Sequence, residues 1–206
     1  MDEDEISKFR HVSGSWRDTS TTGRLLLAAE LPGKVAKLQG FKGTVCRVGS
    51  EDLLRRLLNG EQSPLAQEIV AGRAQLSGAM RKAVEELHWK DYETLVDLVF
   101  RAAGWIRISV LGQQAKGYDL ELREPITQDR YVVQVKSTAD RSDVDETVAQ
   151  FSPSDYRRVF FVAHSPNKDI RAGAELPPHL DLVDPQRLAE LAIDAGLSRW
   201  LEDKAA

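Results

Sequence analysis

The clearest pattern of apolar and polar positions lies between residues 91 and 136. At its start, apolar side chains recur at the three-and-four spacing of a helix, and Gly104 follows as a stop signal. These apolar side chains are Tyr92, Leu95, Val96, Val99, Ala102 and Ala103. Glu93 lies beside the stripe. The pattern therefore predicts a helix that carries an acidic residue at the border of its buried face.

Three segments with the character of strands follow this helix. Residues 105–111 are apolar and partly β-branched, and a loop containing two glycines follows at 112–117. Residues 118–123 and 130–136 alternate between apolar and polar side chains with a period of two. Residues 124–129 contain a proline and predict the turn between them. The last two segments are therefore expected to form a β-hairpin.

The alternation of the hairpin brings polar side chains together on one face. If the hairpin is symmetric about the middle of its turn, Asp119 lies directly across from Gln134, about 5 Å away. Glu121 shares the face of Asp119, and Lys136 shares the face of Gln134 one step further along. We expect Glu93 to reach this area from a helix packed on the same face. Carboxylate and carboxamide oxygens suit Mg²⁺ or Mn²⁺ better than zinc.

Two interpretations of this hairpin remain open. The polar face could be the solvated side of an ordinary antiparallel hairpin, with a cross-strand contact and no metal. The helical patterns before and after the hairpin instead predict that the face is covered, and covered charges need partners or a metal. A lysine beside such a metal could orient or help to deprotonate an attacking water.

The order of these residues resembles the PD-(D/E)xK nuclease superfamily. A glutamate on a helix is followed by Gly117-Tyr118-Asp119 and then by Gln134-Val135-Lys136. Within the superfamily the chain is similar to the Mrr-type restriction endonucleases, in which glutamine stands before the lysine. The resemblance implies an α/β fold with a mixed sheet flanked by helices, and we expect a smaller N-terminal α+β region before it. It also implies an Mg²⁺- or Mn²⁺-dependent endonuclease that hydrolyses DNA phosphodiester bonds in restriction, defence or DNA processing.

The resemblance also assigns roles to residues. It implies that Lys136 is the catalytic lysine and that the metal is held by Asp119, Glu93, Gln134 and Val135. The sequence departs from the commonest form of the motif, because Tyr118 replaces a proline and Gln134 is neutral. One fewer negative charge would attract the cation, and either Glu93 or Glu121 could compensate. Glu121 is therefore an additional candidate.

The rest of the C-terminal part continues the alternation of strands and helices. Residues 137–140 are expected to form a loop, after which Ser142 or Asp143 caps a helix that ends near Phe151. Apolar residues predict strands at 158–164 and 180–183. Asp184 and Pro185 then open a final amphipathic helix that ends near residue 195. We assign residues 78–206 to the nuclease-like domain.

Residues 1–77 form a separate region in which no family is evident. Ser50 predicts a helix over residues 51–58, and Ser63-Pro64 predicts the start of another, with an interruption near Gly72 or Gly78. The region could serve oligomerisation, contact DNA or pack around the nuclease-like domain. Cys46 lies in a strand-like segment at 44–48 and is expected to be a buried small residue.

Composition narrows the function classes. The chain has 206 residues with a formal net charge of −4, so DNA binding would need a local basic patch. The candidates for this patch are Lys116, Arg107 and Arg141. The acidic opening and the lack of a long apolar run predict a cytoplasmic protein without a membrane span. Cutting both DNA strands would favour a homodimer.

The sequence also allows an alternative to the active endonuclease. The fold could be that of a nuclease that is weak or inactive, with its metal site weakened by the neutral Gln134. Such a protein would bind DNA or a protein partner without cleaving it. A chelator-sensitive cleavage assay separates the two hypotheses.

Overall fold

The computed structural model describes residues 13–15, 17–42, 47–108, 118–151, 153–170 and 175–205. The chain divides into two compact units, Met1–Gly72 and Arg73–Ala206. The predicted boundary at residues 77 and 78 lies a few residues beyond this division. Cys46 with most of its strand-like segment, the loop at 112–117 and Lys116 lie outside the described residues.

The helices of the N-terminal region follow local sequence signals. Helix α1 spans Gly33–Ala36, α2 spans Glu51–Asn59 and α3 spans Pro64–Glu86. The predicted starts of α2 and α3 are confirmed, and the Ser63 hydroxyl accepts a hydrogen bond from the Ala66 amide over 3.1 Å. The expected interruption near Gly72 or Gly78 is wrong. Each glycine costs a helix only about 1 kcal/mol, and good helix formers surround both.

The second unit contains the strands and the remaining helices. Its helices are α4 (Trp89–Ala102), α5 (Arg141–Gln150), α6 (Pro185–Asp194) and α7 (Ser198–Lys204). Its strands are β1 (Ile106–Arg107), β2 (Leu120–Arg123), β3 (Arg130–Ala139), β4 (Arg158–Pro166) and β5 (Leu180–Val183). Among the described residues these strands form one mixed sheet in the order β1-β2-β3-β4-β5. The three strands β1, β2 and β3 pair antiparallel, and β3, β4 and β5 pair parallel.

The hairpin of β2 and β3 has the predicted register. Leu120 pairs with Val133 and Glu121 pairs with Val132. One step further along, the same register sets Asp119 opposite Gln134. The apolar alternation and the turn between the strands were therefore sufficient to align the two polar residues.

Helices cover both faces of the sheet. On one face the apolar sides of α4 and α6 pack against Leu120, Leu122, Val133 and Val162. On the other face Val144 of α5 packs with Phe161 and Ala163 of β4. The central strands therefore bury side chains on both faces, which explains why β4 is apolar at every position from Val159 to Ala163.

Helix α4 differs from its prediction at its C-terminal end. Ala102 and Ala103 are exposed, because the helix ends at Ala102 and Gly104 turns the chain away with a φ of 86°. Phe100 is buried in their place. Its ring lies 5.5 Å from Trp105 and 5.1 Å from Phe160, measured between ring centroids.

The segment after the hairpin differs as well. Residues 137–139 continue β3 rather than forming the expected loop, because they pair with β4 as far as Pro166. The cap of α5 is Asp140 rather than Ser142 or Asp143. Asp140 accepts hydrogen bonds from the amides of Ser142 and Asp143, and Asp143 accepts one from the Asp140 amide. This reciprocal arrangement is a capping box. The strands β4 and β5 and helix α6 lie where they are expected, with Asp184 as the cap of α6.

No helix among the described residues combines the length and the apolar character needed to cross a lipid bilayer.

Candidate active site

Asp119 lies just before β2, at the point where this strand stops pairing with β3. Its Oδ2 accepts hydrogen bonds from the Val135 amide over 2.7 Å and from Gln134 Nε2 over 3.1 Å. A backbone amide within a strand points in the plane of the sheet towards the neighbouring strand. The carboxylate of Asp119 therefore takes the place of the next residue of β2 and lies between the two faces of the sheet.

Glu93 approaches this carboxylate from the face that α4 covers. The prediction that α4 packs on the same face as Gln134 and Lys136 is wrong, because its apolar side fits the leucines of β2 and the valines on the opposite face of β3. Glu93 still lies near Asp119. Burial and the negative charge of Asp119 both raise the pKa of the Glu93 carboxyl. The two acids lie within electrostatic range of each other because Asp119 occupies the edge between the faces.

The surroundings of the Asp119 carboxyl also disfavour its charged form. Burial raises its pKa, while the hydrogen bond from the Val135 amide and the charge of Lys136 lower it, and the net direction is upward. The pKa values of both carboxyl groups are raised, and that of Glu93 is raised partly by the charge of Asp119. A bound cation would stabilise the charged forms of both. The arrangement can therefore attract positive charge.

The donor set fits a hard divalent cation. Asp119 Oδ1 and Gln134 Oε1 accept no hydrogen bonds from the described residues. Rotating the Gln134 amide by half a turn would present its oxygen in place of its nitrogen. Among the described residues no group of three or more His, Cys, Asp or Glu side chains could hold a metal. A cation here would therefore depend on oxygens from Asp119, Glu93, Gln134 and the Val135 carbonyl.

Lys136 lies on the other face of the sheet, beneath the start of α5. Its Nζ is 3.3 Å from Asp143 Oδ1, and both side chains are about one-third exposed. Asp143 also belongs to the capping box of α5. The helix start therefore holds the lysine within electrostatic range of Asp119. In the sequence, Asp143 is only a candidate cap for this helix, and a short carboxylate seven residues after a lysine gives no signal that the two will meet.

Glu121 is not available as a metal ligand. Its side chain is buried, and it accepts hydrogen bonds from Tyr118 Oη over 2.9 Å and from Arg130 Nε over 2.8 Å. Arg130 also stacks over the ring of Tyr156, 5.0 Å from its centroid. Glu121 points to the same side of β2 as predicted, but aromatic side chains cover that side and a guanidinium neutralises the charge.

This environment predicts a structural role for Glu121. The Glu121→Ala variant is expected to lower the free energy of unfolding by about 2 kcal/mol, because Tyr118 and Arg130 both lose a charged acceptor. Guanidinium unfolding measures the loss, with exposed Glu86→Ala as the matched control within about 0.5 kcal/mol of the wild type. A loss of metal binding in a folded Glu121→Ala protein, without a change in stability, would return Glu121 to the site.

The basic candidates for DNA contact are already engaged in ion pairs where they are described. Arg107 Nη1 lies 3.3 Å from Asp97 Oδ1, and its side chain is mostly buried. Arg141 pairs with Asp145 over 3.0 Å and donates to the Glu175 carbonyl over 2.8 Å. Lys116 lies outside the described residues. A role for these residues in DNA contact remains a prediction.

Comparison with known proteins adds the family. The family model of the Mrr_cat restriction endonucleases matches residues 84–192, which is more than half of the chain. No curated protein matches the chain. A solved structure of the MspJI restriction endonuclease in complex with a 27-mer oligonucleotide is similar at a TM-score of 0.33, with 13% identity over 89% of this chain and 39% of that chain. The chain thus spans about two fifths of the length of that protein.

The matched segment begins in α3, runs through α4, the whole sheet and α5, and ends in α6. It therefore includes Glu93, Asp119, Gln134 and Lys136. The mixed sheet with helices on both faces is the restriction-endonuclease-like α/β fold. The chain belongs to the Mrr_cat family of restriction endonucleases.

Proposed function

We propose that this chain is a metal-dependent endonuclease that hydrolyses phosphodiester bonds in DNA, in restriction, defence or DNA processing. The observation that carries the proposal is the placement of Asp119. Its carboxylate lies at the open end of β2, near Glu93 on one side and Lys136 on the other. For a chain of the restriction endonuclease family, acidic groups that could hold a cation beside a lysine are the arrangement that hydrolysis of a phosphodiester bond would need.

Each residue has a distinct role in the proposal. Asp119, Glu93, the Gln134 oxygen and the Val135 carbonyl would hold Mg²⁺ or Mn²⁺, which supplies positive charge against the charge that develops on the phosphate. Lys136 carries an ammonium that can orient an attacking water and stabilise negative charge on the phosphate. Asp143 keeps that ammonium in place through its ion pair. Asp119 is fixed by two hydrogen bonds and needs little reorganisation.

Duplex DNA is the proposed partner, and a homodimer is part of the proposal. One site cuts one strand, so cleavage of both strands would need two copies of the chain, and two copies related by a twofold axis would match the symmetry of a duplex. The site itself is acidic before a cation binds. DNA would therefore approach it with the metal already in place.

A cleavage assay tests the function. Purified protein is incubated with plasmid and with short duplex DNA in Mg²⁺, in Mn²⁺ and in excess chelator. Cleavage that the chelator removes supports the enzyme. Retardation of the DNA without cleavage in either metal would instead support a nuclease-like domain that only binds, as the neutral Gln134 would favour.

The raised pKa values predict how metal binding depends on pH. Without metal, the protonated forms of Asp119 and Glu93 are favoured in the fold, so their contribution to stability is present at acid pH and is lost as the pH rises through the raised pKa values. A cation must displace these protons. We therefore expect affinity for Mn²⁺ to fall on acidification at a higher pH than for ordinary carboxylates.

Calorimetric titration with Mn²⁺ at a series of pH values measures this dependence. The Glu93→Gln variant serves as the comparison, since it removes one of the two carboxyl groups with a raised pKa and should make the dependence on pH shallower. Affinity that stays constant down to the pH at which isolated carboxylates titrate would contradict the coupling of the two acids.

A further inference from the structure

A pocket of about 290 Å³ opens beside Glu93. Its walls come from the start of α4 and from the ends of β3 and β4, and most of them are apolar or aromatic. The apolar and aromatic walls include Trp89, Tyr92, Val135 and His164, and the polar ones are Glu93 and Ser137. Because Glu93 and Val135 also belong to the proposed metal site, the pocket directly adjoins the position of the phosphate that would be cut.

Two lining residues carry buried polar atoms that lack a partner in the part of the chain that the structure describes. Tyr92 Oη and His164 Nε2 are both buried and make no hydrogen bond with the described residues. Their rings meet edge to face, with centroids 4.9 Å apart. The other ring nitrogen of His164 lies 3.0 Å from Ser165 Oγ. Buried polar groups in folded proteins nearly always have partners, so this pair indicates that something polar completes the pocket.

We propose that this pocket binds one unpaired nucleobase, from the nucleotide next to the scissile phosphate. The proposal rests on the proposed function, since the phosphate at the metal site fixes which nucleotide is within reach. It adds that this nucleotide is bound through its base and not only through its backbone. In a duplex substrate, this base would accordingly have to leave the stack before it enters the pocket.

The chemistry of the walls favours a base over the other parts of a nucleotide. A phosphate would be repelled by Glu93 at the rim unless a cation bridged them. A deoxyribose within a strand offers only ether and ester oxygens and cannot donate a hydrogen bond. The edge of a base offers donors and acceptors side by side, and its flat face can stack on the exposed ring of Trp89.

The size of the pocket is compatible with one base. Its volume of about 290 Å³ lies just below the range of small-molecule sites, roughly 300 to 1,000 Å³, and so suits a small ligand. Its concave shape also requires that the base be unpaired. Bases in a duplex are stacked and paired, and enzymes that enclose a base in a pocket take it out of the helix or bind a single strand.

Binding to matched oligonucleotides tests the proposal without cleavage. Fluorescence anisotropy with the full chain, in excess chelator, compares a short single-stranded oligothymidine with a strand of equal length and charge whose sugars carry no bases. We expect the strand with bases to bind about tenfold more tightly. Tyr92→Phe and Trp89→Ala should lose most of this ratio and should bind the baseless strand as the wild type does.

The controls separate base binding in this pocket from a water-filled cavity and from the cleavage activity. Tyr131→Phe removes a hydroxyl from a tyrosine outside the pocket and should keep the tenfold ratio. Equal binding of the two strands by the wild type, or an unchanged ratio in both pocket variants, would overturn the proposal and leave a water-filled cavity. Because the assay contains no metal, a protein that fails to cut DNA can still pass it, and a protein that cuts DNA can still fail it.

Discussion

Replacing Lys136 by alanine is expected to lower the rate of DNA cleavage by about 10²- to 10⁴-fold, while the protein remains folded and still binds Mn²⁺. This is the usual range for the loss of a positioned acid or base group. The effect on stability should be small. The ion pair with Asp143 spans 3.3 Å and is one-third exposed, and such pairs contribute about 0 to 1 kcal/mol.

The measurement is single-turnover cleavage of a duplex under saturating Mg²⁺, with thermal unfolding as a check on the fold. Lys82→Ala, on the exposed side of α3, is the matched control and should cleave at the wild-type rate. Asp143→Asn should fall between the two, because the ammonium remains but loses its charged partner. More than a tenth of the wild-type rate in Lys136→Ala would contradict the catalytic role of the lysine.

The hairpin register was predictable because three local signals agreed. The period-two alternation assigned the faces, the proline-bearing turn fixed the centre, and a slip of one residue would have turned Leu120 and Leu122 to the opposite face. The contact between Asp119 and Gln134 follows from this register. The sequence did not reveal the hydrogen bond from the Val135 amide. This bond forms because the pairing of β2 with β3 stops at Leu120, so that the Asp119 carboxylate can accept from the Val135 amide.

The position of α4 was not predictable in the same way. Both faces of β3 are covered, so the alternation of Tyr131, Val133 and Val135 with their neighbours does not state which face receives α4. Burial decides this, and α4 packs on the face that carries the leucines of β2. Although α4 packs on the face opposite to the predicted one, Glu93 lies within electrostatic range of Asp119. The reason is that the carboxylate of Asp119 lies at the edge that both faces share.

The fate of Glu121 shows a second limit of sequence patterns. Its period-two relation to Asp119 places Glu121 on the predicted side of β2, opposite Val132, and this part of the prediction holds. What distinguishes them is the covering layer: Tyr118, Tyr156 and Arg130 enclose Glu121, whereas Asp119 lies beyond the last ladder pair. Tyr118 and Arg130 lie three and nine residues from Glu121, and Tyr156 comes from a later segment. The alternation within β2 alone does not show that these side chains enclose Glu121.

Replacing Asp119 by asparagine is expected to abolish metal binding and to lower cleavage by more than about 100-fold, since loss of a direct ligand should exceed the 10- to 100-fold cost typical of an outer-shell partner. The substitution is nearly isosteric. The asparagine oxygen can still accept the hydrogen bond from the Val135 amide. Since burial raises the pKa of Asp119, a neutral side chain should leave the metal-free fold as stable at neutral pH as the wild type, or more so.

Asp119→Ala separates the two roles of this carboxylate. It should lose metal binding equally, and it should also lose about 1 to 3 kcal/mol of stability because the Val135 amide is left without an acceptor. Calorimetry with Mn²⁺ and guanidinium unfolding of both variants give the four values needed. If Asp119→Asn bound Mn²⁺ as the wild type does, the carboxylate would serve only as the hydrogen-bond acceptor for the Val135 amide. The cation would then have to be held by other residues.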